Sequence, residues 1–439
     1  MKKISRRLAS LTGLAIAVAV VAGTSAASAS SEPISGVHVE ADAARGAGSG
    51  QSVVDWNQEL LAILKTPGAQ PATIHATRSY AILHAAVYDA VVSITHEDRP
   101  YVFEVNAERG ARPDAAADQA AHDTLVALYP SFKSALDQRL ADQLAAIPAG
   151  RHTNDGIRVG RRVAALMLAE RANDGSAVTP PPFVAPAPEP GAYQLTPPNH
   201  PAPQFTNWGR VTPFVLSRAD QFRPPAPPVL TGAAWADAIN EVQSLGRDTS
   251  TTRTADETTA ARFWAPPIWN TWNEIADGQA VAHHTDLEDT ARMFANLNLT
   301  LADTTIAFYD AKYQYLFWRP ITAVRAGTPG NPAVTADPTW TPLAVTAADP
   351  SYPGAHSSIS EAAATVLTAF FGKNVDLTVR SDGLAGVTRH FTSFQAAATE
   401  AGLSRIFAGQ HTRIDHEAGL SLGGHVAHFV LSSQESDDI

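Results

Sequence analysis

An all-α fold is what this sequence predicts, and three observations carry that expectation. Apolar residues recur at helical spacing from Val53 to Lys65, from Ile74 to Ile94 and from Leu287 to about Trp318. No convincing run of strand-like alternation and no internal repeat interrupts them. Hydrophobic residues are 45% and charged residues 17% of 439, which suits a large packed core and not a disordered chain.

Taken in order, residues 1–29 read as a secretory signal peptide. Lys2, Lys3, Arg6 and Arg7 form the positive region, an apolar run follows from Leu8, and Ala27-Ser28-Ala29 suits cleavage. The Arg6-Arg7 pair hints at twin-arginine export, although Ala9 stands where a bulky apolar residue is usual. The expected localisation is secreted. Loss of the leader removes four positive charges and moves the formal charge from −11 to −15. Such an acidic surface repels nucleic acid and anionic membranes, so neither is an expected partner. No later run of 18 apolar residues exists, so the mature chain should be soluble. With no Cys, disulfides, thiol catalysis and thiolate-bound metals are excluded.

Residues 30–50, small and polar, read as a flexible tail, and 51–439 as the helical domain. Helices are expected over 53–65, 74–94, 115–146 and 154–173, the last stopping at Asn173-Asp174-Gly175. Between Pro180 and Pro228 lie 15 of the 31 prolines, so 178–229 is an extended connector. Its aromatics, Phe183, Tyr193, Phe205, Trp208 and Phe214, should pack it against the body. Helices resume near Ala233, and 287–318 reads as one long helix or two abutting ones.

Three segments within 287–431 carry chemistry. In the first, Lys312 and Arg319 stand seven apart ahead of Pro320. On one helix their heads would point the same way and could hold a polyanion, with Trp318 beside them. Taken alone, a solvated charged pair is the commoner explanation. In the second, Tyr352-Pro353-Gly354-Ala355-His356 leads into an apolar helix, with Ser358 and Glu361 spaced as a capping box. A helix starting just after His356 would aim the N–H groups of Gly354, Ala355 and His356 at an anion. His356 itself would stand at the edge for acid–base work. In the third, Arg405 and His411 are six apart, with Ala408-Gly409 allowing a bend between them. Asp415, four after His411, could orient its ring, as a ligating or attacking His requires.

In this order the three segments resemble the signature of the vanadium-dependent haloperoxidase and type 2 acid phosphatase superfamily. That signature is Lys, six residues, Arg-Pro; then Pro-Ser-Gly-His; then Ser-Arg, five residues, His, three residues, Asp. The runs NLTLADTTIAFYDAKYQYLFWRPITAVR, ILHAAVYDAV and PFVLSRADQFRPPAPP resemble bacterial vanadium-dependent haloperoxidases, so the resemblance spans about 53–431. It implies an all-α fold of helical bundles. It also implies that Lys312, Arg319, Gly354, Ala355, Arg405 and His411 bind vanadate, or phosphate in the phosphatase branch. His411 would be the apical ligand to vanadium, or the nucleophile on phosphorus, and His356 the acid–base residue. Lys312 would polarise bound peroxide, Trp318 would shape the pocket wall and Asp415 would orient His411. The implied reaction is oxidation of halide by hydrogen peroxide to a hypohalous acid equivalent, with a small organic molecule as a further acceptor. The alternative is an exported acid phosphatase with a phospho-histidine intermediate.

One departure matters: Gly354-Ala355 replaces Ser-Gly, which removes a hydroxyl donor worth about 1.5–3 kcal/mol to a charged acceptor. Asp349, four before Pro353, falls where the superfamily often has a residue near the halide path, and a carboxylate facing the pocket would repel halide. His283-His284, His425 and His428 lack accompanying metal ligands, and Asn298 is a sequon inside a buried helix.

Overall fold

Asp286 starts the long central helix by accepting a hydrogen bond from the Asp289 amide, with Glu288 and Asp289 complementing the dipole of the first turn. No Gly or Pro falls in the next 29 residues, so the helix runs unbroken from Leu287 to Tyr315 and ends with Leu316 left-handed at φ 46°. Most of its length is buried on every side. A helix buried all round belongs in the middle of a protein, and this one is the pillar around which the others pack.

The computed structural model describes residues 48–435; the leader and the tail up to residue 47 lie outside them. In chain order the helices are α1 Gln51–Lys65, α2 Ala76–Thr95, α3 Pro113–Leu128, α4 Lys133–Ala145 and α5 Arg151–Glu170. They continue with α6 Ala233–Leu245, α7 Ala255–Phe263, α8 Ile268–Ala282, α9 Leu287–Tyr315 and α10 Pro320–Ala326. The last are α11 Ala355–Phe371, α12 Phe394–Phe407 and α13 Arg413–Glu435. The fold is all-α, as expected. A short antiparallel hairpin, β1 Leu377–Arg380 with β2 Thr388–Phe391, is the one pair of strands among the described residues and was not expected. No helix among those residues is long and apolar enough to cross a membrane.

One side of α9 faces α2, α3 and α5, where Ile82, Ala86, Ala120, Val163 and Met167 meet Leu299 and Ala302. The other side faces α11, α12 and α13, through Phe294, Ile359, Val366, Phe394 and Val426. A third cluster of Trp235, Trp318, Ile321, Trp340 and Ile406 joins α6, α10 and α12 beside the C-terminal end of α9.

The single helix expected over 115–146 is two, α3 and α4, because Pro130 supplies no N–H to continue the ladder. Gly48–Gly50, expected within the tail, are held: Leu287 N–H donates to Gly48 O and Gly50 N–H to Thr285 O. The connector has no α-helix, only a 3-10 turn at Trp208–Arg210, and Tyr193, Trp208 and Phe214 are buried. Asp303 of α9 pins it by accepting the amides of Phe214, Val215 and Leu216 at 2.6–2.7 Å.

α11 and α13 approach so closely that glycine is required between them. A Cβ on Gly423 would sit 2.1 Å from Ser358 O, and one on Gly419 2.6 Å from Gly354 O. Gly423→Ala should therefore push the two helices apart and destabilise the fold by about 1–3 kcal/mol. Urea denaturation would read this as a lower midpoint with an unchanged slope.

Candidate functional site

Lys312 lies in the last turn of α9, fully buried, and its Nζ donates to Pro350 O and to Ser351 O, the latter at 3.1 Å. Arg319 is not on the same helix. The chain leaves α9 at Leu316, and Arg319 caps α10, with Pro320 in the first helical position, where its missing N–H costs nothing. The turn between them is fixed by Tyr193 N–H to Leu316 O at 2.7 Å, Trp318 N–H to Gly191 O at 3.0 Å and Ser351 N–H to Phe317 O at 2.9 Å. The two cations still converge, by a bend and not by helical periodicity. Their meeting point is Asp349, whose Oδ2 is 3.3 Å from Lys312 Nζ and whose Oδ1 pairs with Arg319 Nη2.

Arg319 also donates through Nε to Asp349 O at 2.7 Å and through Nη1 to Gln410 O at 2.9 Å. The same Nη1 is 3.2 Å from His411 Nε2. Since Arg can only donate, that contact makes Nε2 the lone-pair nitrogen and puts the ring proton on Nδ1. Nδ1 faces Ser351 Oγ at 3.4 Å and Asp415 Oδ2 at 3.5 Å. Asp415 is itself held by Ser351 Oγ at 2.8 Å and the Thr412 amide at 2.7 Å. His411 is in a loop, since α12 ends at Phe407 and α13 begins at Arg413. The expected bend is Gly409, at φ 73°, where a Cβ would lie 2.6 Å from Gly246 O.

The third element is the start of α11. The helix begins at Ala355 and not after His356; Gly354 is its cap, and Ser358 Oγ bonds Gly354 O instead of forming a capping box. The Gly354 N–H is not free for an anion, because it donates to Asp415 O at 2.8 Å. The amides of Ala355 and His356 are in the first turn, where the helix itself supplies no acceptor. His356 Nε2 lies 2.9 Å from Trp264 O, which places its proton there and leaves Nδ1 as the base.

Burial dominates the charges. It pushes Lys312 down to about 8, opposed by Asp349 and reinforced by Arg319. It pushes His411 down to about 3, with Arg319 adding to the shift and Asp415 opposing it. His356 is driven well below its ordinary value by burial, then by Arg405 and His411. Burial would raise Asp349, but Lys312 and Arg319 outweigh it and the carboxyl lies below its usual range. Arg405, in the last turn of α12, is lowered to about 10 by burial and Arg319, and so keeps its charge at neutral pH. Its Nη1 is buried with no hydrogen-bond partner among the described residues. A buried cationic donor without an acceptor, a neutral imidazole lone pair and first-turn amides fit a tetrahedral oxyanion, vanadate or phosphate alike.

Trp318 is buried 5.8 Å from Trp235, ring to ring, in the packing around Arg319. Sequence reasoning missed Ser351 and Gln410, which hold Asp415 and the 344–347 loop, and His75, a buried α2 cap ringed by Phe205, Trp269 and Tyr309. Asp349 raises the pKa of His75 against the burial that holds it near 3, so the two are neighbours despite their separation in sequence. No group of three or more His, Cys, Asp or Glu residues among the described ones could hold a metal ion; His283 packs on Phe371 and His425 on Phe222.

The family model of the VCPO second helical-bundle domain matches residues 292–436. Vanadium chloroperoxidase of Curvularia inaequalis is 23% identical over 284 residues, 48% of this chain and 46% of that protein, so the match spans about half its length. The crystal structure of a bacterial vanadium-dependent iodoperoxidase superposes with a TM-score of 0.74 at 25% identity, over 88% of this chain and 96% of that one. A bacterial vanadium-dependent chloroperoxidase shares the fold at 14% identity, with a TM-score of 0.66 over 85% and 96% of the two chains.

The electrostatics give a pH-dependent test. Lys312 carries its charge below about pH 8 and loses it above, so its contribution to anion binding disappears as pH rises through that value. Phosphate titrations of wild type and Lys312→Gln should differ most near neutrality, and the difference should shrink above pH 8.

Proposed function

Since the chain belongs to the vanadium-dependent haloperoxidase family, we propose that it is a haloperoxidase that oxidises halide with hydrogen peroxide, using vanadate held between α9, α11 and α12. The observation that carries this is the pair of complementary tautomers. His411 presents a neutral Nε2 beside Arg319 Nη1, and His356 has its Nε2 proton on the Trp264 carbonyl, which makes Nδ1 its basic nitrogen. Lys312, Arg319 and Arg405 would hold the oxygens of the oxyanion, aided by the Ala355 and His356 amides, and His411 Nε2 would be the protein ligand to vanadium. When bound, vanadate supplies the Lewis-acid centre at which hydrogen peroxide is activated toward halide. Asp415 and Ser351 fix the His411 ring and keep its proton on Nδ1. His356 Nδ1 accepts a proton from hydrogen peroxide.

Burial, Arg405 and His411 lower His356 well below its ordinary value, which leaves Nδ1 unprotonated to accept a proton. The phosphatase alternative uses the same residue as an acid once the negative charge of a bound oxyanion raises that value. Asp349 beside Lys312 opposes halide entry, so iodide, the most easily oxidised and least hydrated of the common halides, should be preferred. Export through the 1–29 leader is part of the proposal, as is a small organic molecule as final acceptor.

The test uses the chain from residue 30, loaded with orthovanadate, and follows halogenation of an activated diketone with peroxide and iodide, bromide or chloride. Turnover should require vanadate, fall in the order iodide, bromide, chloride, and drop by about 100-fold or more in His411→Ala, in line with loss of a metal ligand or its support. A phosphate-loaded control should be silent. Hydrolysis of an aryl phosphate without any halogenation would transfer the assignment to the phosphatase branch.

A further inference from the structure

Asp349 is the unexpected member of the cradle. It is 8% exposed, and its carboxylate bonds the two cationic heads, Lys312 and Arg319, that an oxyanion would share. Arg319 is further tied to the Asp349 carbonyl, so the residue is anchored at both its backbone and its side chain. Any anion that contacts both Lys312 and Arg319 therefore lies against a carboxylate.

A carboxylate can only accept hydrogen bonds. An oxyanion with no proton would face it oxygen to oxygen, with like charges in contact. An oxyanion that keeps a hydroxyl can turn that hydroxyl toward Asp349 and convert the repulsion into a short charge-assisted hydrogen bond. At neutral pH inorganic phosphate, arsenate and vanadate each retain a proton, whereas sulfate and selenate do not. Size and tetrahedral shape are nearly the same within each of the pairs phosphate–sulfate and arsenate–selenate, so the proton is what separates them.

We propose that Asp349 makes this site selective for protonated tetrahedral oxyanions by accepting a hydrogen bond from the bound anion's hydroxyl. The proposal rests on the oxyanion reading of the site and adds a specificity-determining residue to it. It concerns which anion the site admits, and is independent of whether halide is subsequently oxidised.

The experiment is calorimetric titration of the vanadate-free protein with phosphate, sulfate, arsenate and selenate at neutral pH, in wild type and Asp349→Asn. Wild type should bind phosphate and arsenate at least about tenfold more tightly than sulfate and selenate, the ratio one charge-assisted hydrogen bond supplies. In Asp349→Asn the amide can donate to any oxyanion, so sulfate should gain affinity and the ratio should fall to within about threefold. Circular dichroism checks that the variant is folded. Should it not fold, the two matched pairs in wild type decide. Equal wild-type affinity for both members of each pair overturns the proposal and leaves the oxyanion site standing. A preference that survives unchanged in folded Asp349→Asn also overturns it, since another group would then be the selector. If wild type and variant bind none of the four anions, both the proposal and the oxyanion reading fall.

Discussion

Placing like charges together in an interior is the constraint on which this structure turns. Lys312 and Arg319 are 0% and 1% exposed, and Arg405 extends a third cation toward them. Unpaired, the lysine would shed its proton and the arginines would destabilise the site. The protein answers with acceptors: the Asp349 carboxylate, and the carbonyls of Asp349, Pro350, Ser351 and Gln410. All but the Gln410 carbonyl come from residues 349–351. That loop is therefore an acceptor lining built for the cations, and its course follows from their positions.

The same demand reaches outward into the fold. To bring Arg319 and Lys312 to one loop, α9 must end before Arg319, and Leu316 takes a left-handed conformation to do so. The turn this makes would expose backbone groups, and the proline-rich connector covers them at Gly191 and Tyr193. The connector is held in turn by Asp303, a buried carboxylate earlier on α9, so the helix that carries Lys312 also anchors the segment that covers its end. On the far side, Gly409, Gly419 and Gly423 let backbones touch, which brings His411 and the start of α11 against the loop that holds Lys312. Rigidity near the cationic cradle is thus inherited from close packing and not from the loops themselves.

Helical periodicity made the helices legible because burial on one or all faces writes itself into residue spacing. It did not reveal that 115–146 breaks at Pro130, where one missing N–H outweighs the pattern. It also attributed the convergence of Lys312 and Arg319 to a shared helix face, when a turn achieves it. Residue types and order pointed to the charged and imidazole groups, since few other combinations suit an oxyanion. Ser351, Gln410 and His75 left no such mark: each acts through a partner distant in sequence, and a single polar residue carries no period. Asp349 was visible as a carboxylate near the site, but its ion pairs depend on where Lys312 and Arg319 end, which spacing alone does not give.

The departure from the superfamily signature at Gly354 and the carboxylate of Asp349 act on the same cradle. A serine at position 354 would place its Cβ 3.1 Å from the Asp415 carbonyl oxygen, a tighter fit than ordinary van der Waals contact. Glycine there allows the 2.8 Å hydrogen bond from Gly354 N–H to that carbonyl, which seats α11 on the His411–Asp415 segment. The gain in seating removes two donors from the cradle, the serine hydroxyl and the Gly354 amide. Asp349 adds an acceptor to the same cradle. A site with fewer donors and an added acceptor is complementary to an anion that donates, because a hydroxyl on the anion can use the remaining lone pairs of the Asp349 carboxylate. The glycine at 354 and the carboxylate at 349 thus change the donor–acceptor balance of the cradle in the same direction, fewer donors and one more acceptor.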